Sequence, residues 1–225
     1  MKISIVKERR PHETRVAATP ETVKKLKALG AEITIETGAG TAAAYTDQAY
    51  ADAGATIVPD AAAAFAAGDI VFKIQRPMSA AEGADELALL RQGQTLMAPL
   101  GALTNKDLVE TLAGKGVTSF ALELIPRITR AQSMDILSSQ ANLAGYKAVL
   151  LAANHFGRIF PQMMTPGGTL APSRAFIMGV GVAGLQAIAT ARCLGSIVTA
   201  TDVRPATKEQ VQSLGAKFVA VEDEE

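Results

Sequence analysis

The chain has 225 residues, and its 22 Lys and Arg cancel its 22 Asp and Glu. A balanced surface lacks the basic footprint of a nucleic-acid binder or of a protein drawn to an anionic membrane, so both classes are set aside. Hydrophobic residues at 48% exclude a disordered chain, and at about 150 residues per domain the length falls between one domain and two.

From the N-terminus, a β-branched run at 3–6 reads as a first strand, closed by charges too early to form a secretory apolar region. Thr19 and Pro20 offer an N-cap and a first helical proline, and Val23, Leu26 and Leu29 recur at helical spacing up to Gly30. Residues 32–36 then alternate as a strand. The same punctuation returns along the chain. A helical segment closes on Gly30, Gly54, Gly116, Gly195 or Gly215, and a strand-like run begins within two residues, as expected where glycine takes the left-handed position after a helix. Strands are also predicted at 69–75 and 94–98, and helices at 81–91 and 105–114. Such alternation predicts an α/β fold of open, mainly parallel sheets with helices on both faces.

The alternation is broken once, by the polar run 126–135 and a long helical stretch to about Phe160. A second strand and helix series starts near Arg174, after the turn-rich Thr-Pro-Gly-Gly-Thr at 165–169. Residues 1–133 are read as a Rossmann-like lobe, 134–164 as a connecting long helix and turn, and 165–225 as the first half of a second doubly wound lobe. About three strands fit after Arg174 where a dinucleotide-binding sheet has six. The second lobe is therefore expected to be cut short, with the chain closing on four consecutive acids.

Within that lobe, residues 175–191 carry no charge and approach the length of a membrane span. Three glycines in six positions break such a helix, and a buried strand, a tight turn and a helix fit better. The turn is Gly179-Val-Gly181-Val-Ala-Gly184, a G-x-G-x-x-G pattern between a predicted strand and a predicted helix. An acid, Asp202, ends the next strand 23 residues after Gly179, near the spacing of about 20 expected of a dinucleotide site. Gly179 permits the turn, Gly181 lets a pyrophosphate approach the backbone, and Gly184 permits close helix packing, while the helix N-terminus supplies N–H groups and a favourable dipole. Asp202 suits the ribose hydroxyls of NAD and repels the 2′-phosphate of NADP. Arg204 is expected over the adenine or along the ribose.

Between the lobes, Arg127, Arg130, Gln132, Ser133, Asp135, Ser138, Ser139, Gln140 and Asn142 form a cluster rich in uncharged hydrogen-bonding groups. They suit a carboxamide or a ribose. Equally, Ser133 or Asp135 could cap the long helix, and Arg127 could pair between lobes.

The run Arg-Ile-Thr-Arg-Ala-Gln-Ser-Met-Asp-Ile-Leu-Ser-Ser-Gln-Ala-Asn-Leu-Ala-Gly-Tyr from Arg127, the glycine turn with its helix, and Asp202-Val-Arg-Pro-Ala-Thr closely resemble the NAD(H)-binding component of proton-translocating NAD(P) transhydrogenase. Lys7-Glu-Arg-Arg10, Arg15-Val-Ala-Ala-Thr-Pro and Gln75-Arg-Pro-Met78 agree. The resemblance implies direct hydride transfer from NADH to an NADP held by a partner component, coupled to protons by a membrane subunit. It also implies a homodimer at the cytoplasmic face of the membrane. By the same resemblance Arg127, Gln132, Ser133, Asp135 and Ser138 would serve the nicotinamide end, with Gln132, Arg127 and Asp135 nearest the transfer. Gly179, Gly181, Val182 and Gly184 would hold the pyrophosphate, and Asp202, Val203 and Arg204 the adenosine. No protein acid or base is required.

A related family, alanine dehydrogenase, shares the Arg15 region but needs a lysine and a histidine at its substrate. Here Gln75 and Pro99 stand at those places. A third reading is a non-enzymatic NADH-binding or assembly module. The single cysteine, Cys193, is expected in the core, His155 after the long helix, and Met163 and Met164 as fillers between lobes. One cysteine and two histidines supply neither a disulfide nor a structural zinc site, and no metal is predicted.

Overall fold

A computed structural model describes residues 1–220, and the acidic end of the chain lies outside the described residues. The contacts divide the chain into two units, Met1–Met134 and Asp135 onward.

The first unit is built from β1 (Lys2–Ile5), α1 (Pro20–Ala28), β2 (Glu32–Glu36), α2 (Asp47–Asp52), β3 (Thr56–Val58), α3 (Ala61–Ala67), β4 (Ile70–Phe72), α4 (Glu86–Leu89), β5 (Thr95–Ala98), α5 (Lys106–Gly114) and β6 (Thr118–Ala121). Its six strands pair in parallel in the order β3-β2-β1-β4-β5-β6. That is the doubly wound order, whose reversal between β1 and β4 opens a crevice at the carboxyl ends of the strands. Ile3, Ser4 and Ile5 of the central β1 are all buried, as a strand covered on both faces requires. Two apolar clusters form, one around Val6, Phe65, Val71 and Leu96 and another around Ile5, Val23, Ile35 and Tyr50.

Local chemistry explains the ends of these elements. The Thr19 hydroxyl accepts from the Thr22 N–H at 3.2 Å, with Pro20 opening α1 as the sequence predicts. Gly30, Gly54 and Gly116, and in the second unit Gly195 and Gly215, take φ between +66° and +92°, which ends each helix and launches the next strand. The predicted helix 81–91 does not form as one piece. A 3-10 turn (Ala80–Glu82) boxed by Ser79 and Glu82 ends at Gly83 with φ +96°, and Asp85 caps a separate single-turn α4. Residues of good helix propensity lose here to two competing caps. The strand predicted over 69–75 is likewise only β4, because the Ile74 N–H leaves the sheet and donates to the Glu8 carboxylate at 2.7 Å.

In the second unit, α6 (Ile136–His155) leads to an antiparallel hairpin of β7 (Met163–Thr165) and β8 (Gly168–Leu170), then β9 (Arg174–Met178), α7 (Val182–Cys193), β10 (Ile197–Thr201), α8 (Lys208–Ser213) and β11 (Lys217–Phe218). The parallel order is β11-β10-β9, with Thr201 beside Met178 at the end of the register. Helix α6 packs on α7, where a Cβ at Gly145 would strike the Ala183 carbonyl. Ile188, Ala191, Val198, Ala200 and Val211 form the core.

Two single-residue expectations change. Cys193 is exposed rather than buried. It lies two residues, or about 200° around the helix, from the buried Ala191, and so projects away from the core. His155 is the last residue of α6 and not beyond it, with its Nδ1 2.9 Å from the Leu151 carbonyl. Met163 and Met164 open the hairpin strand β7. Among the described residues no helix is long and apolar enough to cross a membrane.

Candidate functional site

Strand β9 delivers the chain to Gly179, whose φ of +90° turns it sharply into α7. Gly181 is the N-cap and has no side chain to close the helix end. The first helical hydrogen bond is donated by Leu185 to the Gly181 carbonyl at 2.9 Å, so the N–H groups of Val182, Ala183 and Gly184 precede the ladder and suit an anion. The glycines differ in what surrounds them. A Cβ built on Gly179 or Gly181 meets nothing within 4 Å, whereas one on Gly184 would collide with the Gly179 carbonyl. Gly184 therefore brings the helix against its own turn, and Gly181 leaves the backbone open to a ligand.

Asp202 follows β10 at the carboxyl end of the sheet and is tied to the turn. The Val180 N–H donates to its Oδ2 at 2.6 Å. Arg204 supplies the rest, its N–H and Nε donating to Oδ1 at 2.8 and 2.9 Å and its Nη2 to Oδ2 at 3.1 Å. The Arg204 guanidinium, aided by the two backbone donors, holds the Asp202 carboxyl well below the usual carboxylate range. Arg204 thus closes on Asp202 through both its backbone and its guanidinium. Val203 between them is 97% exposed. Beside this pair is an open groove of about 620 Å³, lined by Met178, Gly179, Thr201, Asp202, Lys208 and Phe218. Lys208 and Phe218 are additions to the residues singled out from sequence. Nothing in spacing marks them, because α8 and β11 bring them to the ends of β9 and β10 only through the parallel register.

The polar segment divides between the units. Arg127 follows a 3-10 turn (Leu122–Leu124), and Gln132 and Ser133 lie on a further 3-10 stretch (Thr129–Met134), all three exposed. Asp135 and Ser138 belong to the second unit and are joined. The Asp135 carboxylate caps α6, accepting from the Ser138 N–H at 2.9 Å and the Ser138 hydroxyl at 2.7 Å.

The crevice of the first unit carries charge. Lys73 Nζ lies 3.2 Å from Glu8 and 3.0 Å from Glu86, with all three side chains at most 2% exposed. Ile74 N–H donates to Glu8 and Met78 N–H to Glu86. Burial pushes the Glu8 carboxyl up, against the opposing pull of Lys73. Nearby, Arg15 closes on Glu13 through Nε at 2.8 Å and Nη2 at 2.6 Å, and Gln75 donates to the same carboxylate at 2.7 Å. The Arg15 hydrogen bond is the main cause holding Glu13 at about 2.

Known proteins share this fold. The family described as alanine dehydrogenase/PNT, N-terminal domain, matches residues 4–144, and its C-terminal domain counterpart matches residues 148–225. An NAD(P) transhydrogenase subunit alpha protein of Rhodospirillum rubrum is 61% identical over 224 residues, covering 100% of this chain and 58% of that protein. Alanine dehydrogenase of Mycobacterium tuberculosis is 30% identical over 223 residues, covering 97% of this chain and 57% of that protein. The chain therefore spans less than two thirds of the length of these relatives. Among solved structures, the transhydrogenase of Sinorhizobium meliloti superposes with a TM-score of 0.93 at 52% identity, covering 99% of this chain and 62% of that one. An L-alanine dehydrogenase superposes with a TM-score of 0.85 at 29% identity, covering 99% and 61%. Matched in both its N-terminal and C-terminal parts, with the same fold throughout, the chain belongs to the alanine dehydrogenase/PNT family.

Proposed function

We propose that this chain is the NAD(H)-binding part of a proton-translocating NAD(P) transhydrogenase, acting with a membrane subunit that conducts protons and a further component that binds NADP. The observation that carries the nucleotide assignment is the Val180–Asp202 hydrogen bond, which joins an open glycine turn to a carboxylate at the carboxyl end of the sheet. The transhydrogenase names of its Rhodospirillum and Sinorhizobium relatives support the reaction class.

NADH, when bound, supplies the hydride. The chain's own groups bind and orient: N–H groups at the start of α7 face the pyrophosphate, Gly181 admits it, and Asp202 with Val203 and Arg204 receives the adenosine. Arg127, Gln132, Ser133, Asp135 and Ser138 serve the nicotinamide end. Positioning is the whole of their task, since hydride passing between two nicotinamides needs no proton relay from the protein. The working form is a homodimer held at the cytoplasmic face of the membrane through its partner subunits.

The alternative of alanine dehydrogenase is disfavoured by the first unit. Arg15, which would have to receive a substrate carboxylate, is closed on Glu13, and position 75 is a glutamine bonded to that same carboxylate.

Titration of NADH fluorescence tests the assignment. Saturable binding of NADH, tighter than that of NADPH, is expected; preference for NADPH would overturn it. Turnover of pyruvate and ammonia with NADH would assign the chain to the dehydrogenase side of the family. Gln132→Asn is expected to slow single-turnover hydride transfer at least tenfold while changing the NADH Kd less than threefold, estimates of about 1.4 and 0.65 kcal/mol respectively. Equal losses in both would remove Gln132 from the transfer step.

A further inference from the structure

The Asp202 carboxylate has no acceptor site to spare. An ionised carboxylate offers about four lone-pair directions, and the Val180 N–H, the Arg204 N–H, and Nε and Nη2 of the Arg204 guanidinium fill them, two on each oxygen. The two backbone donors are fixed by the turn and the strand end. The two guanidinium donors are not, for the Arg204 side chain is 62% exposed while the Asp202 side chain is 6% exposed. A vicinal diol brings two O–H donors, one for each oxygen. It matches in number and placement the two donors that the guanidinium contributes.

We infer that Arg204 is an internal occupant of the ribose-diol site and a determinant of its selectivity: a nucleotide gains Asp202 by exchanging its two hydroxyls for the guanidinium. This rests on the NAD(H) reading of the turn and goes beyond it, because it makes diol recognition a competition inside the protein. The exchange weakens discrimination between a diol and a single hydroxyl. A ribose lacking its 2′-hydroxyl displaces one guanidinium arm and leaves the other in place, so it forfeits less than it would at an unoccupied carboxylate. The released guanidinium stays within two residues of the site, and Nη2 has a second acceptor there in the Val180 carbonyl at 3.3 Å.

The test is a double-mutant cycle between Arg204 and the ribose hydroxyl. Kd values for NADH and for 2′-deoxy-NADH are measured by fluorescence on the wild type and on Arg204→Met, which keeps the aliphatic stem without donors. Any stacking of Arg204 on the adenine affects both ligands and cancels in the ratio. The ratio of the two Kd values is expected to be about three- to tenfold larger in Arg204→Met, the range of one hydrogen bond to a charged acceptor net of an exposed ion pair. An unchanged or smaller ratio, with both ligands still bound, overturns the exchange. Failure of the wild type to bind NADH at all overturns the nucleotide reading instead. Arg204→Lys, which keeps the charge but loses the fork, is expected to fall between the two and guards against a general charge effect.

Discussion

Replacing Lys73 with Met is expected to destabilise the first unit by about 3–5 kcal/mol, the range for removing one partner of a buried ion pair, against a total of about 5–15 kcal/mol for a typical domain. Lys73 is the cation shared by Glu8 and Glu86, and all three side chains are at most 2% exposed. Without it two carboxylates face each other inside the protein. Glu86 retains the Met78 N–H and, at 3.6 Å, Arg9; Glu8 retains only the Ile74 N–H among the bonds described for its carboxylate. The double variant Lys73→Met/Glu8→Gln is therefore expected to be more stable than Lys73→Met, since it removes the charge that has lost its cation. Urea unfolding followed by circular dichroism measures both, and the chain's lack of tryptophan makes that the suitable probe.

Acidity gives a second reading of the same network. Burial already raises Glu8 above its ordinary 4.5, and loss of Lys73 raises it further. A carboxyl raised in the folded state binds more protons folded than unfolded, so its contribution is intact below 4.5 and is lost as pH rises through the folded value. The deficit of Lys73→Met should thus shrink as pH falls from 7 toward 4.5. A deficit below 1 kcal/mol, or one that grows on acidification, would show that Lys73 is not the keystone of this network.

Most of the architecture can be read from periodicity and punctuation, and the reasons are local. A helix closed by Gly30 or Gly195 and followed at once by a β-branched run needs only a positive φ and a short turn, and both are written in neighbouring residues. The glycine turn and Asp202 are legible because their spacing is a sequence property. What escapes is set by residues far apart. Lys73 meets Glu8 across 65 positions, and the Ile74 N–H leaves the sheet for the same carboxylate, where alternation alone continues a strand. The split of the predicted helix 81–91 is different in kind: Ser79 and Asp85 each compete locally for the backbone, and propensity loses to two caps six residues apart. Arg204 lies two residues from Asp202, yet its closure depends on a donor geometry that residue types do not specify.

The glycine turn yields the sharpest contrast between fold and function. Gly184→Ala is expected to destabilise the second unit by about 1–3 kcal/mol, the range for an added methyl without room, because its Cβ would run into the Gly179 carbonyl. Both partners are backbone, one in the turn and one in the first turn of α7, so no rotamer change relieves the clash. Relief requires the helix to move off the turn, which disperses the N–H groups proposed to face the pyrophosphate. NADH binding should therefore fall together with stability. Gly181→Ala is the opposite case. Gly181 has φ −84° and ψ −166°, an extended conformation open to alanine, and its Cβ would meet nothing within 4 Å. The unfolding midpoint is expected to shift by less than about 0.5 kcal/mol, the usual span for a surface substitution. NADH binding should nevertheless weaken by about tenfold or more, roughly 1.4 kcal/mol, since the methyl stands on the path proposed for the pyrophosphate. The pair is read by thermal or urea unfolding beside NADH titration. If Gly181→Ala binds NADH like the wild type, the ligand does not approach over this turn, and if it unfolds as readily as Gly184→Ala, Gly181 is a packing glycine. Only the combination of a fold-neutral, binding-deficient Gly181→Ala with a fold-deficient Gly184→Ala separates the glycine that admits the nucleotide from the one that builds the helix end receiving it.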